Sequence, residues 1–263
     1  MIIFKTDNEI KLMRQGGKIL AQILRKVSSQ AKPGMTTGKL EELACKYIAQ
    51  AGGRPSFKGY KTPGENIAFP TALCTSINNE VVHAPALPSR TLRNGDILKI
   101  DIGMEYPYGR NKIGCYTDMT YTVPIGKIST KARKLVNTTK KALELGIKQV
   151  KPGNTLNDIG NAIQTYAEAQ GFSVVRDLVG HGVGRSVHED PQVFNFRIHK
   201  NSPENFILKQ GMAIAIEPMI NEGGWRVKYG SDGCTIITAD GGLSAQFEHT
   251  VLVTKDGFEI LTL

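Results

Sequence analysis

Hydrophobic and polar residues alternate along the chain with two periods, one typical of helices and the other typical of strands. From residue 10 to residue 27, apolar positions recur every three or four residues, as they do on the buried face of a helix. Thr6 and Glu9 have the spacing of a capping box just before this run, and Lys32-Pro33-Gly34 interrupts the pattern after it. We therefore predict a first helix that ends near Ala31.

The same patterns predict three more helices and eight strands. Helices and strands fall in blocks within each half of the chain and do not repeat as strand-helix-strand units, which favours an α+β fold with an antiparallel-rich sheet. The predicted helices cover about residues 37–51, 129–149 and 155–170, and the predicted strands cover about 72–83, 96–104, 116–124, 173–179, 211–219, 234–238, 244–254 and 258–262.

Two pairs of similar segments indicate that the chain contains two related halves. Residues 92–101 resemble residues 208–217, because in each segment a turn glycine opens a strand of alternating aliphatic residues that ends in an acid. Residues 32–36 recur in similar form at 151–155. Such echoes are typical of an internal duplication. We predict one domain over residues 1–263, with halves of roughly 1–125 and 126–263.

The two similar strands end in Asp101 and Glu217, and a site between the halves would receive one carboxylate from each. Neighbouring carboxylates that stay ionised need a cation. Asp118 interrupts a predicted strand, where Asp is disfavoured, and Glu248 shares a strand face with polar neighbours. His181 lies in a glycine-rich run; a lone histidine is more often structural, but with four carboxylates it completes an N/O donor set that balances two divalent cations.

The composition is typical of a soluble enzyme. No apolar run approaches the length of a membrane span, and the first residues do not have the features of a secretory signal. The four cysteines lack the spacing of a zinc site, and we expect reduced thiols rather than disulfides. We therefore expect a cytoplasmic protein that does not associate with membranes.

The net charge of +9 is concentrated near the start of the chain. Residues 1–60 contain eleven Lys and Arg residues and four Asp and Glu residues, a net charge of +7. A surface with this charge could contact an anionic partner such as RNA. The alternative is a solvated helix face whose lysines keep the protein soluble.

Four segments resemble those of methionine aminopeptidase type I, a metallopeptidase family with the pita-bread fold. They are Cys74–His83, Gly180–Arg185, Ile216–Met219 and Leu243–Thr250, and the resemblance extends over essentially the whole chain. It implies two pseudo-twofold-related halves with a curved antiparallel-rich sheet and outer helices. It also implies an aminopeptidase that removes the initiator methionine from nascent polypeptides when the second residue is small.

The resemblance implies a centre of two divalent metal ions. Asp118 and Glu248 would bridge the two ions. Asp101 would chelate one ion, and His181 with Glu217 would complete the other. Co, Mn, Fe and Zn all suit such a donor set.

The same resemblance assigns three residues to the reaction itself. Glu217 would serve as general base and proton shuttle. His188 would hydrogen-bond the scissile carbonyl and the developing oxyanion. His83 would hold the side of the scissile amide nitrogen. We expect a monomer whose partners are the amino termini of nascent polypeptides.

The expected substrate-binding residues depart in part from the family pattern. Tyr60 and Cys74 match it, whereas Phe57 stands where Cys is common and Phe69 where Tyr is common. Together they suggest an apolar slot suited to an unbranched thioether. Four further departures involve none of the predicted ligands, so they bear on substrate preference and leave the predicted chemistry intact. They are Ala84 for a usual Gly, Cys234 for a usual Trp, an inserted loop at 61–68 and a longer hairpin at 102–117.

Two alternatives stay open at this point. A related aminopeptidase of the X-Pro type would share the five ligands, although such enzymes usually carry an Arg-containing motif before the final Glu. A non-catalytic pita-bread protein that serves as a binding module would typically have lost ligands, and all five are present.

Overall fold

The computed structural model describes residues 1–61, 68–110 and 113–263, and all four predicted helices are present in these ranges. Thr6 and Glu9 form the predicted capping box at the start of the first helix. The helices are α1 (Asp7–Gln30), α2 (Thr37–Gln50), α3 (Thr130–Ile147) and α4 (Leu156–Ala169). Within the described ranges, we find no helix that combines the length and the apolar character needed to cross a membrane.

Fifteen strands form in the described part of the chain, and all of their pairings are antiparallel. This confirms the predicted α+β class. The strands are β1 (Arg54–Pro55), β2 (Leu73–Ile77), β3 (Glu80–Val82), β4 (Ile97–Tyr106), β5 (Cys115–Pro124), β6 (Ser173–Val174), β7 (Gly180–Gly182), β8 (Glu189–Val193), β9 (Ala213–Ile216), β10 (Met219–Asn221), β11 (Val227–Tyr229), β12 (Ile236–Thr238), β13 (Ser244–Gln246), β14 (His249–Val253) and β15 (Phe258–Ile260).

The strands are organised into two larger and two smaller sheets. In the first larger sheet, β4 pairs with β5 along its whole length and with β2 and β1 on its other edge. The second larger sheet has the strand order β15-β14-β9-β7-β8. The smaller sheets are β13-β10-β6 and β11-β12-β3.

Three of the predicted strands are interrupted. The strand predicted at 72–83 divides into β2 and β3 at Asn78-Asn79, and the other two interruptions each contain a predicted metal ligand. The predicted strand at 211–219 divides into β9 and β10 at Glu217-Pro218, and the strand at 244–254 divides into β13 and β14 at Phe247-Glu248. β9 and β14 pair in the five-stranded sheet, whereas β10 and β13 pair in a three-stranded sheet. The two breaks therefore face each other where one sheet passes into the other.

Four short strands, β1, β7, β8 and β11, were not expected from the sequence, and the strand predicted at 173–179 ends at Val174. β7 contains two glycines, and β8 contains Asp190-Pro191, so neither has the alternation of a half-buried strand. After β6 the chain turns inward, and Leu178 and Val179 line the central cavity. The predicted strand over 173–179 is therefore wrong beyond Val174, because the residues after it form the cavity wall instead of a sheet.

The hydrophobic core has two main clusters that largely follow the two halves of the chain. One is built from residues between 20 and 125 under α1 and α2. The other is built mostly from residues between 128 and 253 under α3 and α4. The turns before α2 and α4 also match, since Gly34 and Gly153 donate to the carbonyls of Leu92 and Leu208. The division of one domain into two duplicated halves stays a prediction, which these parallels support.

Helix α1 packs closely on a distant part of the chain. Arg14 donates two hydrogen bonds to the Glu259 carboxylate, at 2.6 and 2.7 Å. A Cβ atom at Gly17 would lie only 2.3 Å from the carbonyl oxygen of Leu261, so only glycine allows the helix to approach this segment.

Glu41 fixes the start of β2, which leads into the cavity. Its buried carboxylate accepts the backbone N–H groups of Ala72 at 2.7 Å and Leu73 at 2.9 Å. These two donors have no strand partner on this side, so Glu41 takes the place of a neighbouring strand.

Replacing Glu41 with Ala should lower the free energy of unfolding by about 1–3 kcal/mol, because two buried N–H groups would lose their acceptor. Urea denaturation followed by circular dichroism measures this change. Glu42→Ala is the matched control, since Glu42 forms only an exposed pair with Lys39 and its loss should change stability by less than about 0.5 kcal/mol. Equal losses in the two variants would contradict the role of Glu41.

Candidate metal centre

A cavity of about 970 Å³ lies where the sheets meet, and it brings together the residues predicted as ligands, catalytic groups and slot. Its predicted lining residues are Phe57, Tyr60, Phe69, Cys74, His83, Asp101, Asp118, His181, His188, Glu217 and Glu248, and Cys234 joins them. The described lining includes carboxylates but neither Lys nor Arg. The roles of the individual residues stay predictions.

Asp101 and Asp118 are brought together by the pairing of β4 with β5. Asp101 lies opposite Thr120, and Asp118 lies opposite Gly103, so the two acids are diagonal neighbours on one face of the sheet. A Cβ atom at Gly103 would lie 2.1 Å from Ser56 Oγ and 3.0 Å from the ring of Phe57. The glycine thus lets an aromatic wall of the cavity lie directly on the strand beside the two acids.

Glu217 and Glu248 enter the cavity from the two facing sheet breaks. Pro218 cannot donate to a ladder, so the chain leaves β9 directly after Glu217. The Asn195 side chain donates to the Glu217 carbonyl at 3.3 Å, which gives this carbonyl a partner outside the ladder. The Glu248 N–H group donates to the Thr120 carbonyl at 2.9 Å, which attaches the second break to β5.

The four carboxyl groups are electrostatically frustrated when no cation is present. Burial raises the pKa of all four, to about 6 for Asp101 and well above the ordinary value for the others. Mutual repulsion raises the pKa of Asp118, Glu217 and Glu248 further. A cation is what would allow all four to stay ionised.

Several oxygen atoms of this cluster also lack a protein partner. Asp101 Oδ1, Asp118 Oδ1 and Glu248 Oε1 are buried without a hydrogen bond. Ligand atoms of Asp118, His181 and Glu248 lie within 4.8 Å of one another. Buried acceptors without donors, close enough to share one ion, fit a divalent cation.

His181 presents one nitrogen to this cluster. Its Nδ1 atom lies 2.9 Å from the Gly182 carbonyl, which can only accept, so Nδ1 carries the proton. The Nε2 atom then has a free lone pair, and it lies 3.6 Å from Glu217 Oε1. Burial lowers the pKa of His181 to about 4, which keeps the ring neutral near pH 7. A neutral imidazole oriented by its other nitrogen is the form that binds metals.

Two polar residues without a role assigned from the sequence orient the acids. Thr120 donates to Glu248 Oε2 at 2.7 Å, and Gln246 donates to Glu217 Oε2 at 3.1 Å. The sequence did carry a signal for Gln246, because it belongs to a polar stripe in an otherwise apolar sheet. Every member of that stripe is buried: Ser244, Gln246, Glu248 and Thr250.

His188 and Tyr60 form a pair at the side of the cavity. The His188 ring lies edge-on to the His181 ring, with 4.4 Å between their centroids. Its Nδ1 atom is 2.8 Å from the Tyr60 hydroxyl. His188 is exposed to the cavity rather than enclosed, yet desolvation and the neighbouring His181 and His83 lower its pKa. It is therefore neutral at physiological pH.

His83 stands out by its backbone. It follows β3 with φ 59°, a left-handed conformation that non-glycine residues rarely adopt. Such backbone strain is concentrated at functional sites, where the surrounding structure compensates for it. The strained turn points His83 into the cavity wall, where the sequence predicts a substrate contact.

The predicted slot residues form an apolar cluster beside the acids. Phe57 and Cys74 pack with Val187, and Tyr60, Phe69 and Tyr116 complete the cluster. Sequence reasoning did not identify Val187 or Tyr116. The Phe57 and Phe69 rings meet edge to face, with 6.5 Å between their centroids. Cys74 lies directly opposite Asp101 in the β2–β4 register, so slot and acids share one sheet.

The remaining departures from the family pattern lie in different places. Cys234 lines the cavity, whereas the Trp225 ring contacts the guanidinium groups of Arg176 and Arg226, which lie 5.2 and 4.8 Å from its centroid. Ala84 is buried and accepts a backbone hydrogen bond from Thr75. Most of the inserted loop, residues 62–67, and residues 111–112 of the long hairpin lie outside the described residues.

Comparisons with solved structures extend the fold assignment. A methionine aminopeptidase from Rickettsia prowazekii superposes with a TM-score of 0.91 at 39% identity and covers 100% of both chains. A prolidase from Pyrococcus horikoshii covers 100% of this chain and 64% of its own, with a TM-score of 0.76 at 20% identity. The second match shares the fold alone. Both confirm the predicted pita-bread fold.

Sequence comparisons identify the family. The profile of metallopeptidase family M24 matches residues 11–255. A methionine aminopeptidase from Clostridium perfringens is 46% identical over 264 residues, which span 100% of this chain and 99% of that protein. Methionine aminopeptidase 1 of Bacillus subtilis is 43% identical over 263 residues, with the same coverage. The chain that builds this cavity therefore belongs to metallopeptidase family M24, among its methionine aminopeptidases.

Proposed function

We propose that the protein is a metal-dependent aminopeptidase that removes the initiator methionine from nascent polypeptides whose second residue is small. One observation carries this proposal: a cluster of buried, partly unpartnered carboxylates adjoins an apolar slot, with Asp101 and Cys74 directly opposite each other. The carboxylates fit a hydrolytic metal centre, and the slot fits the unbranched side chain of methionine.

The five predicted ligands would hold two divalent ions, with Asp118 and Glu248 shared between them. The unpartnered oxygens and the neutral His181 ring support this donor set. Co, Mn, Fe and Zn are the candidate metals. Bound there, such ions would polarise the scissile carbonyl and lower the pKa of water, so that a nucleophile is available near neutral pH.

Glu217 would take the proton from the attacking water and return it to the leaving amine. Its position suits this transfer, because one carboxylate oxygen is held by Gln246 and the other faces His181.

His188 would donate a hydrogen bond to the carbonyl oxygen of the scissile bond. For this, Nε2 must carry the proton of the neutral ring, and the Tyr60 hydroxyl can enforce that tautomer by donating to Nδ1. Tyr60 would thus orient a catalytic group as well as line the slot. His83 would contact the amide nitrogen side of the same bond.

The two alternatives receive no specific support. The X-Pro enzymes and prolidases among the structural matches share only the fold, at about 20% identity. A binding module without activity would have no use for ligands that all line one cavity.

The four cysteines, all within the described ranges, form no disulfide, which supports our proposal of a cytoplasmic enzyme. We also propose that it acts as a monomer.

Replacing Asp118 with Asn should abolish peptide hydrolysis and lower the amount of bound metal, because a neutral amide cannot bridge two cations as a carboxylate does. Metal analysis and hydrolysis of a Met-Ala peptide measure the two effects. Asp177→Asn, at an exposed acid outside the cavity, is the control and should leave both unchanged. Substantial turnover by Asp118→Asn at saturating metal would remove Asp118 from the bridge.

The enzyme should cleave Met-Ala peptides and spare Ala-Pro peptides. Phe57→Ala should lower kcat/KM for Met-Ala peptides by roughly tenfold or more, because the methionine side chain would lose about 1.5–3 kcal/mol of burial. Phe258→Ala, at a part-exposed phenylalanine on β15, is the matched control. A preference for Ala-Pro peptides would favour the X-Pro class.

We also propose that the basic start of the chain docks on ribosomal RNA. Arg25 and Lys26 are exposed on α1, and Lys32 is exposed just after it. Cosedimentation with ribosomes should be measurable at low salt and weaken as salt rises, because binding releases counterions. Reversing all three charges to Glu should abolish it, whereas reversing Lys140, Lys148 and Lys151 on and after α3 should not. If all three proteins sediment alike, the basic segment is only a solvated surface.

A further inference from the structure

The loop that carries His188 is tied to the start of the chain by a buried ion pair. Lys5 Nζ lies 2.6 Å from Glu189 Oε2, next in sequence to His188, and the side chains of Lys5 and Glu189 are only 1% and 3% exposed. Lys5 Nζ also donates to the Ile3 carbonyl at 3.0 Å. The pair joins positions separated by 184 residues.

The other oxygen of Glu189 closes the loop on itself. Glu189 Oε1 accepts the backbone N–H groups of Arg185 at 2.5 Å and Ser186 at 3.0 Å. One carboxylate therefore fixes both the backbone before His188 and the ammonium group of Lys5. His188 lies within the turn that these contacts close.

A glycine of the motif around His181 makes room for this arrangement. Gly184 has φ +147°, and a Cβ atom there would lie 2.3 Å from Lys5 Cε. The Lys5 side chain therefore passes over a position that only glycine can occupy. The glycine-rich run serves the Lys5 contact as well as the backbone around His181.

A second ion pair joins the same two segments at the surface. Arg185 Nε donates to Glu9 Oε1 at 2.5 Å, and the Arg185 side chain is half exposed. Glu9 is also the residue that caps α1 together with Thr6. The loop is thus attached to the start of α1 through one buried and one outer contact.

A buried ion pair is a poor source of stability, because desolvation of both charges offsets most of their attraction. Its use here calls for another role, and its neighbour is a residue of the proposed reaction. We propose that Glu189, locked by Lys5, is a positioning residue that holds the His188 ring at the cavity beside His181. This rests on the proposed function of His188 as a hydrogen-bond donor to the substrate.

A double-mutant cycle with His188 tests this coupling. Glu189→Gln should lower kcat for a Met-Ala peptide by about 10- to 100-fold, since a small misplacement of a catalytic group has effects of this size. In a His188→Ala background the same change should lower kcat by less than about twofold, because the group it positions is gone. Metal content should stay the same in all four proteins.

The charge-free double variant Lys5→Met with Glu189→Gln controls for misfolding as the cause of lost activity. It leaves no unpaired buried charge, so it should fold, and it should show the same kcat loss and the same dependence on His188. Arg14→Met is the control, since it breaks an ion pair of α1 far from the loop; it should leave kcat unchanged relative to its parent, both in the wild-type and in the His188→Ala background.

The outcomes separate the two proposals. If His188→Ala keeps full activity, the proposed function of His188 fails. If His188→Ala is impaired but the Glu189 and Lys5 changes lower kcat equally in both backgrounds, the positioning role is overturned. Full activity of the charge-free variant would overturn it as well.

Discussion

The burial of four carboxyl groups in one cavity is the constraint on which the rest of the structure depends. Each acid sits where a sheet can hold it against its neighbours: two on adjacent strands, and two in facing breaks between sheets. Thr120 and Gln246 each hold one oxygen and leave the others open. Bound cations would relieve the mutual repulsion that raises the pKa of Asp118, Glu217 and Glu248.

His181 and His188 must carry no positive charge in this cavity, because an imidazolium there would repel the cations. Both have lowered pKa values, with desolvation as the leading cause, so both stay neutral near pH 7. For His181 the Gly182 carbonyl can only accept, so Nδ1 carries the proton. For His188 the Tyr60 hydroxyl lies 2.8 Å from Nδ1, and our proposal has it donate there so that Nε2 carries the proton. Two neutral rings leave the charge of the site to its carboxylates.

Much of this arrangement could be predicted from the sequence, because it has local signals. A few neighbouring residues are enough to recognise the capping box before α1, the turn glycines and the acids inside strands. The break at Glu248 could not be predicted, since the apolar alternation continues through it and hides the change of sheet. The break after Glu217 did have a local signal in Pro218, which cannot donate to a ladder. The ion pair of Lys5 with Glu189 could not be predicted either, because no local sequence pattern links two residues that are 184 positions apart. Short strands such as β7 lacked periodicity altogether.

The contact of α1 with residues near 260 has a consequence for the order of assembly. Arg14 and Gly17 meet Glu259 and Leu261, and Met13 shares a small apolar cluster with Leu261. Helix α1 therefore cannot complete its packing until the segment near residue 260 has been synthesised. Such long-range closure slows folding. During synthesis, part of the apolar face of α1 stays exposed to solvent until its partner residues near 260 have been added. The nascent chain is therefore prone to aggregation until the two segments pack together.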